Sequence, residues 1–370
     1  MLALLSLCIW LYLFFAHGKF WLSGPELLPA SPAATPDVDI IIPARDEAET
    51  IGRVVASLSA QEYAGKFRII LVDDDSGDGT ADIARAALAG TGSNLDVIAG
   101  APKPQGWSGK LWAVSQGVAH AQASVLLLAD ADIVHDPRHL AALVARLDSP
   151  RVDMVSEMVR LNCASRAERW LVPAFVYFFQ MLYPFARVND PMSKVAAAAG
   201  GTVLIRRGAL ERIGGIASIK GALIDDVTLA KAVKRGGAIY LGHSGLAVSI
   251  RRYPHFVDIW DMIARTAFTQ LNYSATLLAL TLIGLALVWW VPIGEALFGS
   301  GWQRLCGLAA FVLGAASYLP TLARYRRSAL WSLALPLIAL FYMAATLWSA
   351  LTYWRGIGAR WKNRTYEGTR

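Results

Sequence analysis

Long apolar runs at both ends of the chain constrain its fold more than any other feature. Residues 2–16 form the first run, and three more follow at about 275–294, 304–322 and 329–353. A helix needs about 20 apolar residues to cross a bilayer, so the three later runs are long enough to do so. Because residues 37–250 have the mixed composition of a globular protein, we expect one folded domain with membrane segments on both sides.

The N-terminal run is predicted to be a membrane anchor over residues 1–22, which a linker at 23–36 joins to the domain. The linker is rich in Pro, Ala and Ser, as flexible connections often are. No basic residue precedes the run and Lys19 follows it, an order that places the domain in the cytoplasm under the positive-inside rule. The alternative is a cleaved signal peptide, which would export the domain.

The C-terminal part is predicted to contain an interfacial amphipathic helix at 251–273, a transmembrane region at 274–354 and a basic tail at 355–370. Four full spans would leave the tail outside, against the charge rule. We therefore expect one segment, such as the last with Pro336, to be re-entrant or interfacial. A shorter apolar stretch at 170–185 is predicted to be either a core helix or the lip of a cleft.

The net charge of +7 does not by itself indicate nucleic-acid binding. Basic residues such as Arg251, Arg252 and Arg265 lie beside the apolar runs, and we interpret them as anchors at the membrane surface. The three cysteines are far apart and have no metal-ligand or redox spacing. This cysteine pattern suits a reducing compartment and gives no indication of a zinc site.

Short β-rich runs alternate with helical stretches in the middle of the chain. VDIII, RIILV, LDVIA and VLLLA are predicted strands, and helices are predicted to begin near Ala48, Thr80 and Ser108. Strands joined by crossover helices form parallel sheets, so we expect an α/β fold with a Rossmann-like, doubly wound sheet. Ligands of such sheets bind at the carboxyl ends of the strands, where the polar residues become site candidates.

Acidic residues follow the first two predicted strands, where carboxylates can accept hydrogen bonds from a nucleoside. A calcium loop over 74–78 is the competing explanation, but Arg85 stands where that loop needs a bidentate Glu. The predicted nucleotide-binding residues at these two strand ends are Pro43, Arg45, Asp46, Glu47, Asp73 and Asp74.

Asp130 and Asp132 follow the fourth predicted strand directly. Two carboxylates at this spacing can hold a hard divalent cation, which would neutralise a diphosphate. Helix capping is the competing explanation, but Asp136 and Pro137 already suit the start of the next helix. We therefore predict a metal site at Asp130 and Asp132.

Two further motifs contain charged residues at predicted helix starts. Gly106-Trp107-Ser108-Gly109-Lys110 lacks the first Gly and the Ser/Thr of a phosphate loop, so an ATPase is not indicated. Lys110 can approach a donor diphosphate or simply pack in its loop. Asp225 and Asp226 can be helix caps, or Asp226 can be a general base with Asp225 in support.

The ordered motifs PARDEA, VDDDSGDGT, GWSGK, DAD, AAGG and IDD together resemble family 2 glycosyltransferases. The resemblance is greatest to the hopanoid-associated (hopene-associated) subfamily, with ceramide glucosyltransferases more distant, and it extends to the terminal RWKNRTY. It implies a GT-A (Rossmann-like) nucleotide-diphospho-sugar transferase domain with N- and C-terminal transmembrane helices. The implied location is the bacterial inner membrane, multi-pass, with the catalytic domain over 37–250 on the cytoplasmic side.

The resemblance also implies a chemistry: transfer from a nucleotide sugar, of UDP type, to a membrane lipid such as a hopanoid. It implies a divalent cation, Mg²⁺ or Mn²⁺, and inversion in a single displacement. Asp225 stands where Glu is common, and Arg265-Thr266 replaces the Arg-Trp of processive members, which implies one sugar per acceptor. The residues that carry over are Asp46, Asp73 and Asp74 for the nucleoside, Asp130 and Asp132 for the diphosphate and metal, Asp226 for the base, and Arg265 for the diphosphate.

Three other functions compete with this interpretation. A polyprenyl-phosphate glycosyltransferase would share the donor site but would use an acceptor that is already anionic. A nucleotide-sugar sensor would bind the donor without turnover. A transporter is disfavoured, because the apolar runs are interpreted as free of the ionisable residues that mark a transport pathway.

Overall fold

One mixed β-sheet organises the globular domain. The computed structural model describes residues 1–90, 94–148 and 152–357, together with the backbone of Arg360–Trp361 and Arg364–Thr365. In spatial order the sheet reads β1-β9-β7-β8-β5-β2-β3-β4, and β6 pairs with β9. The strands are β1 (Glu26–Leu27), β2 (Val38–Ala44), β3 (Phe67–Asp73), β4 (Leu95–Ala99), β5 (Val125–Ala129), β6 (Ile133–His135), β7 (Val152–Arg160), β8 (Thr202–Arg206) and β9 (Ala238–Ser249).

The four strands predicted from the sequence are confirmed, and they pair in parallel: β2 with β3 and β5, and β3 with β4. The parallel arrangement predicted for these strands does not extend to the whole sheet, which is mixed: β6 runs antiparallel to β9, and β8 runs antiparallel between β5 and β7. Because of that direction, the first residue of β8, Thr202, pairs with the last residue of β5, Ala129. The Gly200-Gly201 turn therefore lies beside the residues that follow β5.

Helices cover both faces of the sheet, and alternate residues of each strand point to opposite faces. Ile41 and Val72 contribute to the core on one face, while Ile42 and Leu71 contribute to the core on the other. The helices of the domain are α2 (Ile51–Ser59), α3 (Thr80–Ala87), α4 (Gly109–His120), α5 (His139–Leu147), α6 (Arg166–Leu182), α7 (Phe185–Asn189), α8 (Arg207–Arg212) and α9 (Asp225–Lys234).

The apolar stretch at 170–185 belongs mainly to α6, which is a core helix. A capping box defines its start: the Ser165 side chain accepts from the backbone N–H of Glu168, and the Glu168 carboxylate accepts from that of Ser165. Phe175 and Phe179 on the same helix also line the cleft described below. Both predicted roles, core and cleft wall, therefore fall on this one helix.

Three helical segments in the described part of the chain are long and apolar enough to cross a membrane: Ala275–Phe298, Gly301–Arg324 and Ala329–Trp354. They coincide with the three predicted spans. The prediction that the spans contain no ionisable residue is wrong for the second, which begins at Arg304, and the observed helical segments also include Glu295 and Arg324 near their ends. The helices outside the domain are α1 (Leu2–Leu11), α10 (Phe256–Gln270), α11 (Ala275–Leu285), α12 (Val291–Phe298), α13 (Gly301–Arg324) and α14 (Leu335–Trp354).

The two shorter helices outside the domain are packed rather than free. The apolar helix at Leu2–Ala16 is shorter than the three spans and packs against α12 and α13. The amphipathic helix predicted at 251–273 corresponds to α10, which packs along α14, where the ring of Trp260 meets that of Phe341. One side of α10 therefore closes the cleft.

Candidate active site

A cleft of about 870 Å³ lies at the carboxyl-end edge of the central strands. Its floor comprises residues that follow β5 and β9, the Gly200-Gly201 turn, and the first turn of α9. α6, α10 and α14 form its walls. This is the sheet edge at which the sequence predicted ligand binding.

Asp130 and Asp132 lie in a tight turn after β5, and both line this cleft. The backbone N–H of Asp130 donates to the carbonyl of Gly201 at 3.1 Å, which fixes the turn against the start of β8. Asp132 is nearly buried, and its carboxylate accepts from Arg251 Nε at 2.7 Å. Burial raises the pKa of Asp130, and the neighbouring Asp132 raises it further, although Lys110 opposes both effects.

Lys110 joins the aspartates of the β5 turn to those of α9. Its Nζ lies 2.8 Å from Asp130 Oδ1 and 3.3 Å from Asp225 Oδ2. Ser108 caps α4 by accepting from the backbone N–H of Leu111, and this cap aims the first turn of the helix at the cleft. Burial alone would lower the pKa of Lys110, but Asp130 and Asp225 outweigh it and raise the pKa, so the side chain is a cation.

Asp226 is a carboxyl of the cleft floor with a raised pKa. It lies in the first turn of α9, where one of its oxygens accepts from the backbone N–H of Val227 at 2.7 Å. Burial, and then the adjacent Asp225, raise the pKa of Asp226 to about 7. A Cβ added at Gly200 would lie only 3.2 Å from Asp226 Oδ2, so a glycine leaves room for this carboxylate. Asp226 is therefore a carboxylate poised to accept a proton near neutral pH.

The carboxylates of the β5 turn fit a divalent cation that a ligand helps to coordinate. Among the described residues, no group of three or more His, Cys, Asp and Glu side chains is placed to hold a metal ion. Asp130 nevertheless faces the cleft beside other acids that raise its pKa, and a cation there would relieve that repulsion. Both predicted ligands are already paired, Asp130 with Lys110 and Asp132 with Arg251, so a cation would share each carboxylate with a basic side chain.

The predicted donor residues divide into two groups. Pro43, Glu47, Lys110, Asp130 and Arg265 line the cleft, together with Asp132, Asp225 and Asp226. Arg45, Asp46, Asp73 and Asp74 are not among the residues that line it.

The predicted donor residues that do not line the cleft lie in the loops that follow β2 and β3, and their side chains make contacts in and between these loops. Asp46 accepts from the backbone N–H of Gly77, Asp73 accepts from that of Ser76, and the buried Asp74 lies beside Arg45. Their contact with a nucleoside stays a prediction.

Arg251 was interpreted from the sequence as a membrane-surface anchor, and that interpretation is wrong. Its guanidinium lies 2.7 Å from Asp132 and 2.8 Å from Glu47, inside the cleft. Arg265, grouped with it as an anchor, also lines the cleft, as the family resemblance implied. Arg251 follows β9 closely, and residues that follow a strand at this edge of the sheet are site candidates. That position could have identified Arg251 as a site residue.

Residues 39–214 match the family model of Glycosyl transferase family 2. The chain is 31% identical over 105 residues to the 4,4'-diaponeurosporenoate glycosyltransferase of Staphylococcus haemolyticus, covering 28% of this chain and 26% of that protein. It is 25% identical over 126 residues to the dodecaprenyl-phosphate galacturonate synthase of Rhizobium johnstonii, covering 34% and 36%. The chain thus spans only about a quarter to a third of these relatives.

A solved mannosyltransferase from Pyrobaculum calidifontis, in complex with GDP-Man and Mn²⁺, has a similar fold with a TM-score of 0.57. The match covers 95% of this chain and 98% of that chain at 20% sequence identity. At this identity the likeness establishes the fold alone, which is an α/β GT-A fold followed by three apolar helices.

Proposed function

We propose that this chain, which carries a family 2 glycosyltransferase domain over residues 39–214, moves one sugar from a nucleotide sugar to a hydroxyl of a membrane lipid. The observation that carries the proposal is the Asp226 carboxyl at the cleft floor, whose pKa burial raises to about 7. Such a group can take the proton of an attacking hydroxyl at neutral pH. Transfer to a hydroxyl in one displacement needs a base of this kind, because the hydroxyl proton must be removed.

In the proposed mechanism, residues on two sides of the cleft hold the donor. Pro43 and Glu47 lie at the carboxyl end of β2, where a nucleoside would bind. Lys110 and Arg265 supply positive charge for the diphosphate. Asp130, with Asp132 beside it, would hold the divalent cation, which neutralises the leaving diphosphate when bound. The Mn²⁺ and GDP-Man in the Pyrobaculum structure support the use of a divalent cation with the donor.

The chemical step follows from the position of the base. Asp226 takes the proton from the acceptor hydroxyl while that oxygen forms a bond to the anomeric carbon. The bond from this carbon to the diphosphate oxygen breaks at the same time, and the bonding pair leaves with the nucleoside diphosphate. Attack opposite the leaving group inverts the configuration. Asp225, which lies 3.3 Å from Lys110 Nζ, is next to Asp226 and contributes to the rise of the Asp226 pKa to about 7.

Three apolar helices that could span a membrane support a lipid acceptor and a multi-pass location at the cytoplasmic membrane, with the domain on the cytoplasmic side. A hopanoid is our example of such a lipid. The name of the dodecaprenyl-phosphate galacturonate synthase favours a second candidate, a polyprenyl-phosphate acceptor. Such an acceptor is already anionic and needs little help from a base, so the two candidates differ in their dependence on Asp226.

The test is transfer of radiolabelled sugar from a panel of nucleotide sugars to membrane lipid, in detergent with Mg²⁺ or Mn²⁺. Asp226→Asn is expected to lower kcat by about 10² to 10⁴-fold, the usual contribution of a general base, while nucleotide binding is retained. Asp82→Asn, on the exposed surface of α3, is the matched control and should be fully active.

Full transfer by Asp226→Asn would contradict the proposed base and favour the polyprenyl-phosphate candidate. Nucleotide-sugar binding without any transfer by the wild type would instead indicate a sensor.

A further inference from the structure

The cleft continues beyond Asp226 to a mouth between the ends of α10 and α14. The aromatic mouth comprises Phe268, Tyr273 and Tyr353, all of which line the cleft. We propose that it binds the apolar body of the acceptor, and that the acceptor is an uncharged amphiphile bearing a hydroxyl. This inference rests on the proposed function and narrows its substrate class.

The rings of the aromatic mouth are held in a fixed arrangement. Tyr273 stacks on Tyr353 with centroids 4.5 Å apart and an interplanar angle of 22°. Phe268 meets both rings edge-on, at 5.8 Å from Tyr273 and 5.5 Å from Tyr353. The hydroxyl of Thr269 donates to the Tyr273 hydroxyl at 3.0 Å. The mouth thus offers a preorganised apolar surface, which lowers the entropy cost of binding.

The backbone at Tyr273 indicates that its side chain has a use beyond packing. Asn272 and Tyr273 have φ of 51° and 55°, in the left-handed region where glycine is favoured and a bulky residue is strained. The turn is closed by the Tyr273 N–H, which donates to the Phe268 carbonyl. Yet the Tyr273 side chain remains 39% exposed, so core burial does not offset this strain.

The location of the mouth suits a lipid that enters from a bilayer. Tyr353 lies at the end of the segment Ala329–Trp354, which is apolar enough to cross a membrane. Tyrosine and tryptophan are enriched where membrane spans meet water, and the exposed Trp354 is next to Tyr353. The apolar part of a lipid can therefore bind at the aromatic mouth while its polar end extends toward Asp226.

The charge of the cleft favours an uncharged acceptor. Among the described residues that line it, seven are acidic and four are basic. Two of those bases, Lys110 and Arg251, are already paired with carboxylates. A phosphate at the acceptor position would add negative charge beside Asp225 and Asp226, in a partly buried site where like charges repel strongly. A hydroxyl brings no such charge and has a proton for Asp226 to take.

The experiment uses the full chain in detergent and the membrane lipids of the organism that encodes it, separated by anion exchange into neutral and anionic fractions. Radiolabelled sugar is expected to enter the neutral fraction. Tyr273→Ala and Tyr353→Ala should each raise the KM for the neutral fraction about 3- to 10-fold, with the KM for the nucleotide sugar and its slow hydrolysis unchanged. Tyr273→Phe should restore most of the loss.

The control is Phe298→Ala, a ring that is 87% exposed on α12 and does not line the cleft. It should leave both KM values unchanged. Label in the anionic fraction would overturn the inference and leave glycosyl transfer intact. Unchanged lipid KM values in both Tyr→Ala variants would overturn the role of the mouth, whereas no label in either fraction would overturn the lipid acceptor itself.

Discussion

Two adjacent aspartates in the first turn of α9 have different environments and so can have different roles. Asp225 lies 3.3 Å from the Lys110 ammonium. The pKa of Asp226 is raised to about 7 by burial and by Asp225. Neighbouring carboxyls in different environments are typical of paired acid and base groups in enzymes. The tertiary position of Lys110 therefore distinguishes two residues that look equivalent in the sequence.

The raised pKa of Asp226 predicts the pH dependence of transfer. A general base must be deprotonated to act, so activity is lost as pH falls through the pKa of about 7. We expect kcat/KM to rise roughly tenfold per pH unit below that value and to level off above it. The measurement is kcat/KM for the lipid acceptor from pH 5.5 to 8.5 at saturating cation. A flat profile over this range would exclude Asp226 as the titrating base.

A substitution at Gly200 tests how strongly kcat depends on the position of the Asp226 carboxylate. In Gly200→Ala the new Cβ would lie 3.2 Å from Asp226 Oδ2, so the carboxylate must shift by a few tenths of an ångström. We expect kcat to fall about 10-fold, because small displacements of a catalytic group are costly. The control is Gly208→Ala, where a Cβ meets nothing within 4 Å. Equal activity of the two variants would show that Asp226 tolerates displacement.

At the scale of the elements, α1 completes the helical bundle that follows the domain. The segment Ala286–Trp290 forms one π turn, which disturbs the regular hydrogen-bond ladder of the helix. Two carbonyls of this turn accept hydrogen bonds from side chains of α1. Ser6 Oγ donates to the Leu287 carbonyl at 2.7 Å, and Trp10 Nε1 donates to the Val288 carbonyl at 2.8 Å. Although α1 is too short to span a membrane alone, its side chains thus donate hydrogen bonds to carbonyls of the longer segment Ala275–Phe298.

The contact between Trp10 and α13 requires a glycine at position 314. A Cβ there would lie 2.8 Å from the Trp10 ring, so Gly314→Ala is expected to destabilise the folded protein by about 1–3 kcal/mol. Gly284→Ala on α11 is the matched control, because a Cβ there meets nothing within 4 Å. Thermal unfolding in detergent measures both variants. The packing of α1 on α13 would be refuted if Gly314→Ala were as stable as the control.

At the scale of the whole molecule, the charge of the cleft connects cation binding to nucleotide binding. In the described part of the chain, two carboxylates that follow β5 line the cleft, and both are already paired: Asp130 with Lys110 and Asp132 with Arg251. A divalent cation prefers about six oxygen ligands, so the protein alone supplies too few. The diphosphate of the donor can supply others.

This arrangement predicts that cation and nucleotide stabilise the protein together and not separately. Mn²⁺ with the matching nucleoside diphosphate, each at about 100 times its Kd, should stabilise the folded state by about 3 kcal/mol. Mn²⁺ alone should have little effect. Thermal shift with UDP and GDP measures this, with Asp130→Asn as the variant that loses the coupling. An equally large shift with Mn²⁺ alone would indicate a complete metal site within the protein.

Much of the architecture followed from local sequence patterns. The spacing of apolar residues predicted the strands β2 to β5 and the helix α10, because an element buried on one face has apolar residues at regular intervals. Continuous apolar runs predicted the three long apolar helices, because a helix in lipid is apolar all round. The acids at 130, 132, 225 and 226 could be placed at the sheet edge, because the carboxyl ends of parallel strands meet there.

Only the tertiary structure decided how these residues are paired. Arg251 bonds to Asp132 across 119 positions, Lys110 joins two turns that are far apart in the chain, and β8 enters the sheet antiparallel. Three acids and one arginine that were predicted to bind the donor, Asp46, Asp73, Asp74 and Arg45, make contacts between loops and do not line the cleft. A sequence pattern records which residues must be buried or polar, whereas an ion pair depends on distances that exist only after the chain has folded.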